Sequence, residues 1–445
     1  MKRSILLSCA ALSTALAVSA VQVPEVSNVE MSQVASTRTV TITYTLDAPA
    51  VVTVDIQTNS EDGVWASIGG QNFWNMSGDV WGLVPDAGDH AITWQPEVSW
   101  PDHRIPDGGA RAVVTAWALD DPPDYMVVDL SATVSTNFYP TMECLPGGLL
   151  ENDAYRLTSL VMRKIPARDV TFTMGSTVEL GRYPNDETAF SVKMSENYYI
   201  GVFPVTQSQF FLIAGYNGSG FSYPASKGKR PVEKVSWNEI RCAKNSTTYA
   251  GGSWPDKPYK DSVIDKLRVK TGIDFDLPSE CQWEYACRSG YGDGYWNNGA
   301  AHTNSTEDLN LPGRYIRNGG YYHNPDGSYT KPSDGDSVTE SNATAIVGSY
   351  APNRWGIYDM HGNIAEWCLD WFEADITKFG GAPNIDRASP LKTLSGADGS
   401  KRVNRGGNWN ATPRTCRSAF RGSYEPNVRM STFSFRVVCP ATLVK

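Results

Sequence analysis

A glycine pair, a tryptophan and one cysteine among four arginines constrain this chain more than any other stretch: Arg405-Gly-Gly-Asn-Trp-Asn-Ala-Thr-Pro-Arg-Thr-Cys-Arg-Ser-Ala-Phe-Arg421. The missing side chains at Gly406 and Gly407 let two backbones come closer than other residues allow. Arg405, Arg414, Arg417 and Arg421 flank Cys416 in sequence. Cationic neighbours lower a thiol's pKa and favour the reactive thiolate, which makes Cys416 a candidate catalytic residue. Ala411, five residues earlier, is the second position on which the reading turns.

The N-terminus runs Lys2-Arg3, a largely apolar stretch from Ile5 to Ala17, then Val18-Ser19-Ala20. That order predicts a signal peptide over residues 1–20 and an exported protein, periplasmic, cell-surface or secreted. The apolar run is too short to span a membrane, and no transmembrane helix is expected further on. Loss of Lys2 and Arg3 takes the net charge from −9 to −11, so nucleic acid is not an expected partner. Cys144, Cys242, Cys281, Cys287, Cys368, Cys416 and Cys439 remain, and an exported chain is expected to pair some of them. Cys281 and Cys287 lack the spacing and histidines of a zinc site.

Gly and Pro are frequent, 39 and 27 in 445 residues, which favours loops and strands over helical bundles. Over residues 21–145, Thr39–Thr45, Val51–Ile56 and Arg111–Ala118 read as β-strands between turn residues. They predict an all-β sandwich of immunoglobulin or fibronectin type, serving as a spacer or as a docking module for a protein partner. Residues 146–164 read as a linker. From 165 to 440 strands shorten and loops lengthen. Helices there are announced by capping boxes at Thr206–Gln209, Ser236–Glu239 and Ser279–Gln282, the last ending near Gly290. The Asn-, Gly- and Ser-rich stretch 291–345 reads as surface loops, Asp334-Gly-Asp336 included.

Six motifs follow one another along the chain: Val170–Ser176, Phe203–Gln207, Arg230–Trp237, Leu277–Arg288, Gly356–Trp367 and Arg405–Arg421. Together they resemble the formylglycine-generating enzyme family, the sulfatase-modifying factors, over residues 165–440. The resemblance implies an α+β, C-type-lectin-like domain with low regular secondary structure and structural calcium. In the family's enzymes it also implies a two-cysteine copper centre, which uses oxygen to convert a sulfatase cysteine to formylglycine.

Asp359 and Glu366 flank Gly362, and a turn there would bring carboxylates and carbonyls onto one cation, the oxygen cage that calcium favours. The resemblance implies a calcium held by the Asp359 and Glu366 side chains and by the Gly362 and Ile364 carbonyls. The alternative is a metal-free polar network, with Asn363 and Glu366 bonded to loop backbone and Trp367 in the core. For copper, the family places cysteines five residues apart after the glycine pair. Here the second is Cys416 and the first is Ala411, whose methyl cannot ligate; Asn408 stands where the enzymes have serine. A lone thiolate holds soft Cu(I) weakly, so copper is a doubtful cofactor. The resemblance also implies a Cys242–Cys439 disulfide. Cys287 matches another bridging cysteine of the family, but the partner position holds Arg421, so its pairing is open beside a role as a small buried hydrophobe; Cys368 is a candidate second thiol or disulfide partner for Cys416. The five histidines show no metal spacing.

The first functional reading is a binding or scaffold protein that takes a peptide or glycan in a cleft formed by Arg405, Asn408, Trp409 and Arg421. The alternative is an active formylglycine-generating oxidase working through Cys416. A structural envelope component is the third.

Overall fold

The computed structural model describes residues 23–443 apart from 61, 180, 222–225, 243–257, 292–308, 319–321, 324–328, 331–342, 376–383 and 386–400. The expected signal peptide, Asp334–Asp336 and His302 lie outside the described residues.

The N-terminal region is β-rich, as the alternation predicts. In strand Val40–Leu46, Val40, Ile42, Tyr44 and Leu46 are buried, since alternate side chains of a strand share one face. That strand pairs with Val26–Gln33 and Gly88–Trp94. A second sheet is built on Ala50–Asn59, paired antiparallel with Ala110–Trp117 along its length. Both sheets feed one apolar cluster, in which Ile42 and Tyr44 join Val52, Val54 and Trp81.

Residues 146–164 are not a linker. They hold a turn with Gly147 and Gly148 at positive φ, the helix Ala154–Leu157, and most of strand Ser159–Ile165. That strand lies central in a five-stranded antiparallel sheet, ordered Ser135–Tyr139, Tyr125–Asp129, Ser159–Ile165, Tyr198–Gly201, Val438–Pro440. Pro146-Gly-Gly148 looks like linker composition, but the apolar Leu160, Val161 and Met162 that follow are fully buried and must lie in a core. Val161 joins the N-terminal cluster while Leu160 and Met162 face the C-terminal one. One sheet therefore serves two cores.

Thr206 and Ser279 open helices Gln207–Ala214 and Glu280–Arg288 with reciprocal capping boxes. Ser236 caps Trp237–Arg241 by accepting from the Glu239 amide. The Glu239 carboxylate does not return the bond; it meets the Tyr216 hydroxyl and Arg429 instead. The helix Glu280–Arg288 ends one residue before the expected glycine, with Ser289 left-handed at φ 46 and Gly290 following at φ 82.

A four-stranded sheet positions the site. Ala365–Trp371 pairs antiparallel with Arg402–Arg405 and parallel with Phe433–Ser434, while Gly422–Tyr424 forms the edge. The loop 406–421 leaves this sheet and returns to its edge.

Candidate functional site

The glycine pair does what its composition predicts. Gly406 and Gly407 take φ 93 and 69, which side chains resist. The Gly406 carbonyl accepts from the Gly362 amide at 2.6 Å, locking the loop to the Asp359–Glu366 segment. A Cβ on Gly407 would lie 2.6 Å from the Cys416 sulfur and 2.7 Å from the Thr415 carbonyl. Gly407→Ala is therefore expected to cost about 2–4 kcal/mol, combining left-handed strain with overpacking. Gly215→Ala, at φ 84 in open space, isolates the strain alone at about 1–2 kcal/mol. Urea midpoints of the two variants check the difference.

The arginines do not activate Cys416. Arg405 is fully buried and pairs with Glu284 and with Glu280 at 3.3 Å. It also donates to the carbonyls of Ser418 at 2.8 Å and Phe420 at 2.9 Å, so it ties the returning loop down. Arg421 grips Glu280 through two bonds of 2.7 and 2.8 Å. Arg417 meets Glu179 at 2.6 Å and Glu187 at 2.6 and 2.8 Å. Arg414 points outward over the Tyr183 ring, 3.9 Å from its centroid, and donates to the Gly181 carbonyl. Glu280 would be raised by burial alone, but Arg421 and Arg405 outweigh this and hold it below its ordinary value. These four buried glutamates are the partners that sequence reasoning missed. Glu280 and Glu284, four apart on a helix that buries both, were the readable signal.

Cys416 is buried, and burial pushes its thiol up to about 12 despite the Asn408 amide and nearby Arg417. The expected low-pKa nucleophile is thus a neutral thiol, because desolvation exceeds the charge effect. Its neighbours are Leu309 and Tyr315, with Ala411 and Ile316 at the cluster's edge. Two ligand positions that would face a copper ion are here one protonated thiol and one methyl in an apolar cluster. These residues do not fit copper. Cys287 makes another candidate pair: its sulfur lies 3.7 Å from His361 Nε2 and 3.6 Å from the Ser418 hydroxyl. Burial raises Cys287 to about 12 and lowers His361 to about 4, so both are neutral and closed to solvent.

The implied calcium ligands do not converge on a cation either. Both Glu366 oxygens are taken by Arg436, at 2.6 and 2.7 Å, and one also accepts from the Trp283 indole at 2.7 Å. A guanidinium already supplies the positive charge. Asp359 accepts from the Gly348 amide at 2.9 Å and the Asn363 side chain at 3.1 Å, and burial raises it to about 6. The Gly362 carbonyl accepts from the Ile364 amide. Asn363 bonds the Ala345 backbone and Trp367 is buried, donating to the Val235 carbonyl. Asn363 and Trp367 are placed as in the polar network weighed against calcium, while Glu366 meets the Arg436 and Trp283 side chains rather than loop backbone, and the four residues do not fit the ion. Among the described residues no group of three or more His, Cys, Asp or Glu could hold a metal.

The seven described cysteines are all free thiols. Cys368 packs with Trp283 and Val403, in a different cluster from Cys416, so the two do not bridge. Cys242 and Cys439 share the main core without bonding.

Of the four expected cleft residues, Arg405 and Arg421 belong to the ion-pair lattice. Trp409 is buried edge-on against Phe221, 5.4 Å between centroids, and donates to the Ser431 carbonyl. Asn408 alone lines an open pocket of about 260 Å³. Its other walls include Asn404, Asn410, Thr415, Phe420 and Tyr424. For Asn404 and Asn410 the readable signal was the Asn spacing at 404, 408 and 410 around the glycine pair.

Comparison with known proteins follows the same line. Residues 140–441 match the sulfatase-modifying factor enzyme 1-like domain. The chaperone protein LppX of Paenibacillus barcinonensis is 27% identical over 271 residues, 56% of this chain and 83% of that protein. The formylglycine-generating enzyme of Streptomyces coelicolor is 30% identical over 233 residues, 48% of this chain and 54% of the enzyme. Among solved structures, Treponema denticola variable protein 1 aligns at 25% identity and a TM-score of 0.45, covering 64% of this chain and 96% of its own. With well over half of its length matched to that domain, the chain belongs to the sulfatase-modifying factor family.

Proposed function

We propose that this chain is an exported, non-catalytic binding protein on a sulfatase-modifying-factor fold, taking a peptide or glycan in the pocket beside Asn408. The observation that carries this reading is the pairing of Ala411 with a buried Cys416 whose thiol is pushed up to about 12. A thiol that stays protonated is a poor nucleophile at neutral pH, and the Ala411 methyl supplies no second ligand for a soft metal. The fold around it is intact, and an open, aromatic-walled pocket lies alongside, the usual form of a ligand site. We further read the two N-terminal sheets as an immunoglobulin- or fibronectin-like sandwich that docks a protein partner.

The test is a pair of assays on the full chain. With a Cys-x-Pro-x-Arg peptide, Cu(I) and oxygen, mass spectrometry is expected to show no conversion. Conversion that disappears in Cys416→Ser would establish the oxidase and overturn the binding reading.

A further inference from the structure

We infer that the pocket's ligand is an uncharged sugar ring, presented by a neutral glycan. This rests on the binding reading above and narrows it. No residue lining the pocket carries a charge. The arginines around it are committed elsewhere: Arg405 and Arg421 to Glu280 and Glu284, Arg417 to Glu179 and Glu187. Arg414 lies over Tyr183 and Arg429 pairs with Glu239, so among the described residues no lining side chain offers a charge to a sulfate, a phosphate, a carboxylate or a chain terminus.

What the pocket offers is amides and a hydroxyl between rings. Asn404, Asn408 and Asn410 each carry a donor and an acceptor, and Thr415 adds an O–H. Closely spaced groups of both kinds match the hydroxyls around a pyranose, while Phe420, Tyr424 and Phe433 offer faces for its C–H side.

One atom points to a missing partner. Asn404 is 4% exposed, yet its Nδ2 donor finds no acceptor among the described residues. A buried donor left unmade is destabilising, and a sugar oxygen in the pocket would satisfy it. Asn404 sits opposite Gly422 in the sheet register, where any side chain would strike its amide. An extended peptide would instead add to the edge strand, but Gly422–Tyr424 offers only three residues for pairing. The compact cavity favours the ring.

The experiment is an array of neutral oligosaccharides, their sulfated and sialylated counterparts and uncharged peptides, followed by titration calorimetry. Binding to a neutral glycan class is expected, with Kd changing less than about twofold between about 50 and about 500 mM salt, since no ion pair is there to screen. Tyr424→Ala, whose ring is 40% exposed, is expected to weaken binding roughly tenfold with unchanged thermal stability. Asn404→Ala should weaken it comparably. Preference for acidic glycans, or steep loss with salt, overturns the inference. Peptide binding that Tyr424→Ala abolishes overturns the sugar but leaves the binding protein standing. Absence of glycan binding at millimolar concentration overturns the inference too, and oxidase activity removes the reading beneath it.

Discussion

Arg417→Ala is expected to destabilise the chain by about 3–5 kcal/mol, the usual effect of removing one partner from a buried ion pair. Arg417 is fully buried between Glu179 and Glu187, themselves 3% and 0% exposed. It makes three bonds to their carboxylates and one to the Arg414 carbonyl at 2.8 Å. Alanine would leave Glu187 without its guanidinium and Glu179 with Arg288 at 3.6 Å, so the excess buried negative charge would have to take up protons or draw in water. At about 2.1 cal/mol/K per residue a chain of this size has an unfolding entropy of about 0.9 kcal/mol/K, so roughly 1 °C of Tm follows each kcal/mol and a fall of about 3–5 °C is expected. Arg414→Ala is the internal control. That cation lies at the surface over Tyr183, where such contacts are worth about 1 kcal/mol or less. A triple change, Arg417→Met with Glu179→Gln and Glu187→Gln, removes charge from both sides and should recover much of the loss. Equal Tm changes for Arg417→Ala and Arg414→Ala would show that the lattice is not what holds the loop.

The same arginines mark the limit of what the sequence disclosed. Local rules read well: the alternation at Val40–Leu46, the capping boxes at Thr206 and Ser279, and the glycine pair all depend on residues within a few positions of each other. The segment order pointed to the family for a related reason, since short motifs persist when the loops between them do not. The error at Cys416 is of another kind. Four arginines near a thiol in sequence suggested an activated cysteine, but Glu179 and Glu187 lie more than two hundred residues away and neutralise the nearest of them. Sequence also does not weigh desolvation, which decided the direction for Cys416. Glu366 went wrong likewise: its acidic character was legible, whereas its partner Arg436 arrives seventy residues on, from the segment between strands Phe433–Ser434 and Val438–Pro440. The 146–164 stretch was misread because turn composition concealed a buried strand. Pocket residues Phe420 and Tyr424 gave no local signal, since they meet Asn408 only when the loop returns to its sheet.

Asp370→Asn is expected to raise stability above neutral pH and to change little near pH 4. Asp370 is 6% exposed and accepts from the Glu280 backbone amide at 2.6 Å. Burial, with the Glu280 carboxylate close by, pushes it up to about 7, against the pull of Arg402 and Arg421. Its ordinary value is 3.8, so the folded state binds the proton more tightly than the unfolded one. The penalty for ionising it is absent below about pH 4, grows as pH rises, and is complete above about pH 7. At about 1.4 kcal/mol per pKa unit the full penalty is on the order of 4 kcal/mol. Asparagine keeps an acceptor for the Glu280 amide and carries no charge, so it escapes the penalty. Other groups pull differently. Asp359, raised to about 6 by burial, adds to the alkaline loss; His361, lowered to about 4 by burial, withdraws stability as pH falls from about 6.5 to about 4. Both are present in either chain and largely cancel in the difference. Urea unfolding of wild type and Asp370→Asn between pH 4 and pH 8 should show a gap that opens through the window from about 4 to about 7. A gap that is flat across that window, or that widens toward acid, would mean that Asp370 is ionised in the folded chain throughout.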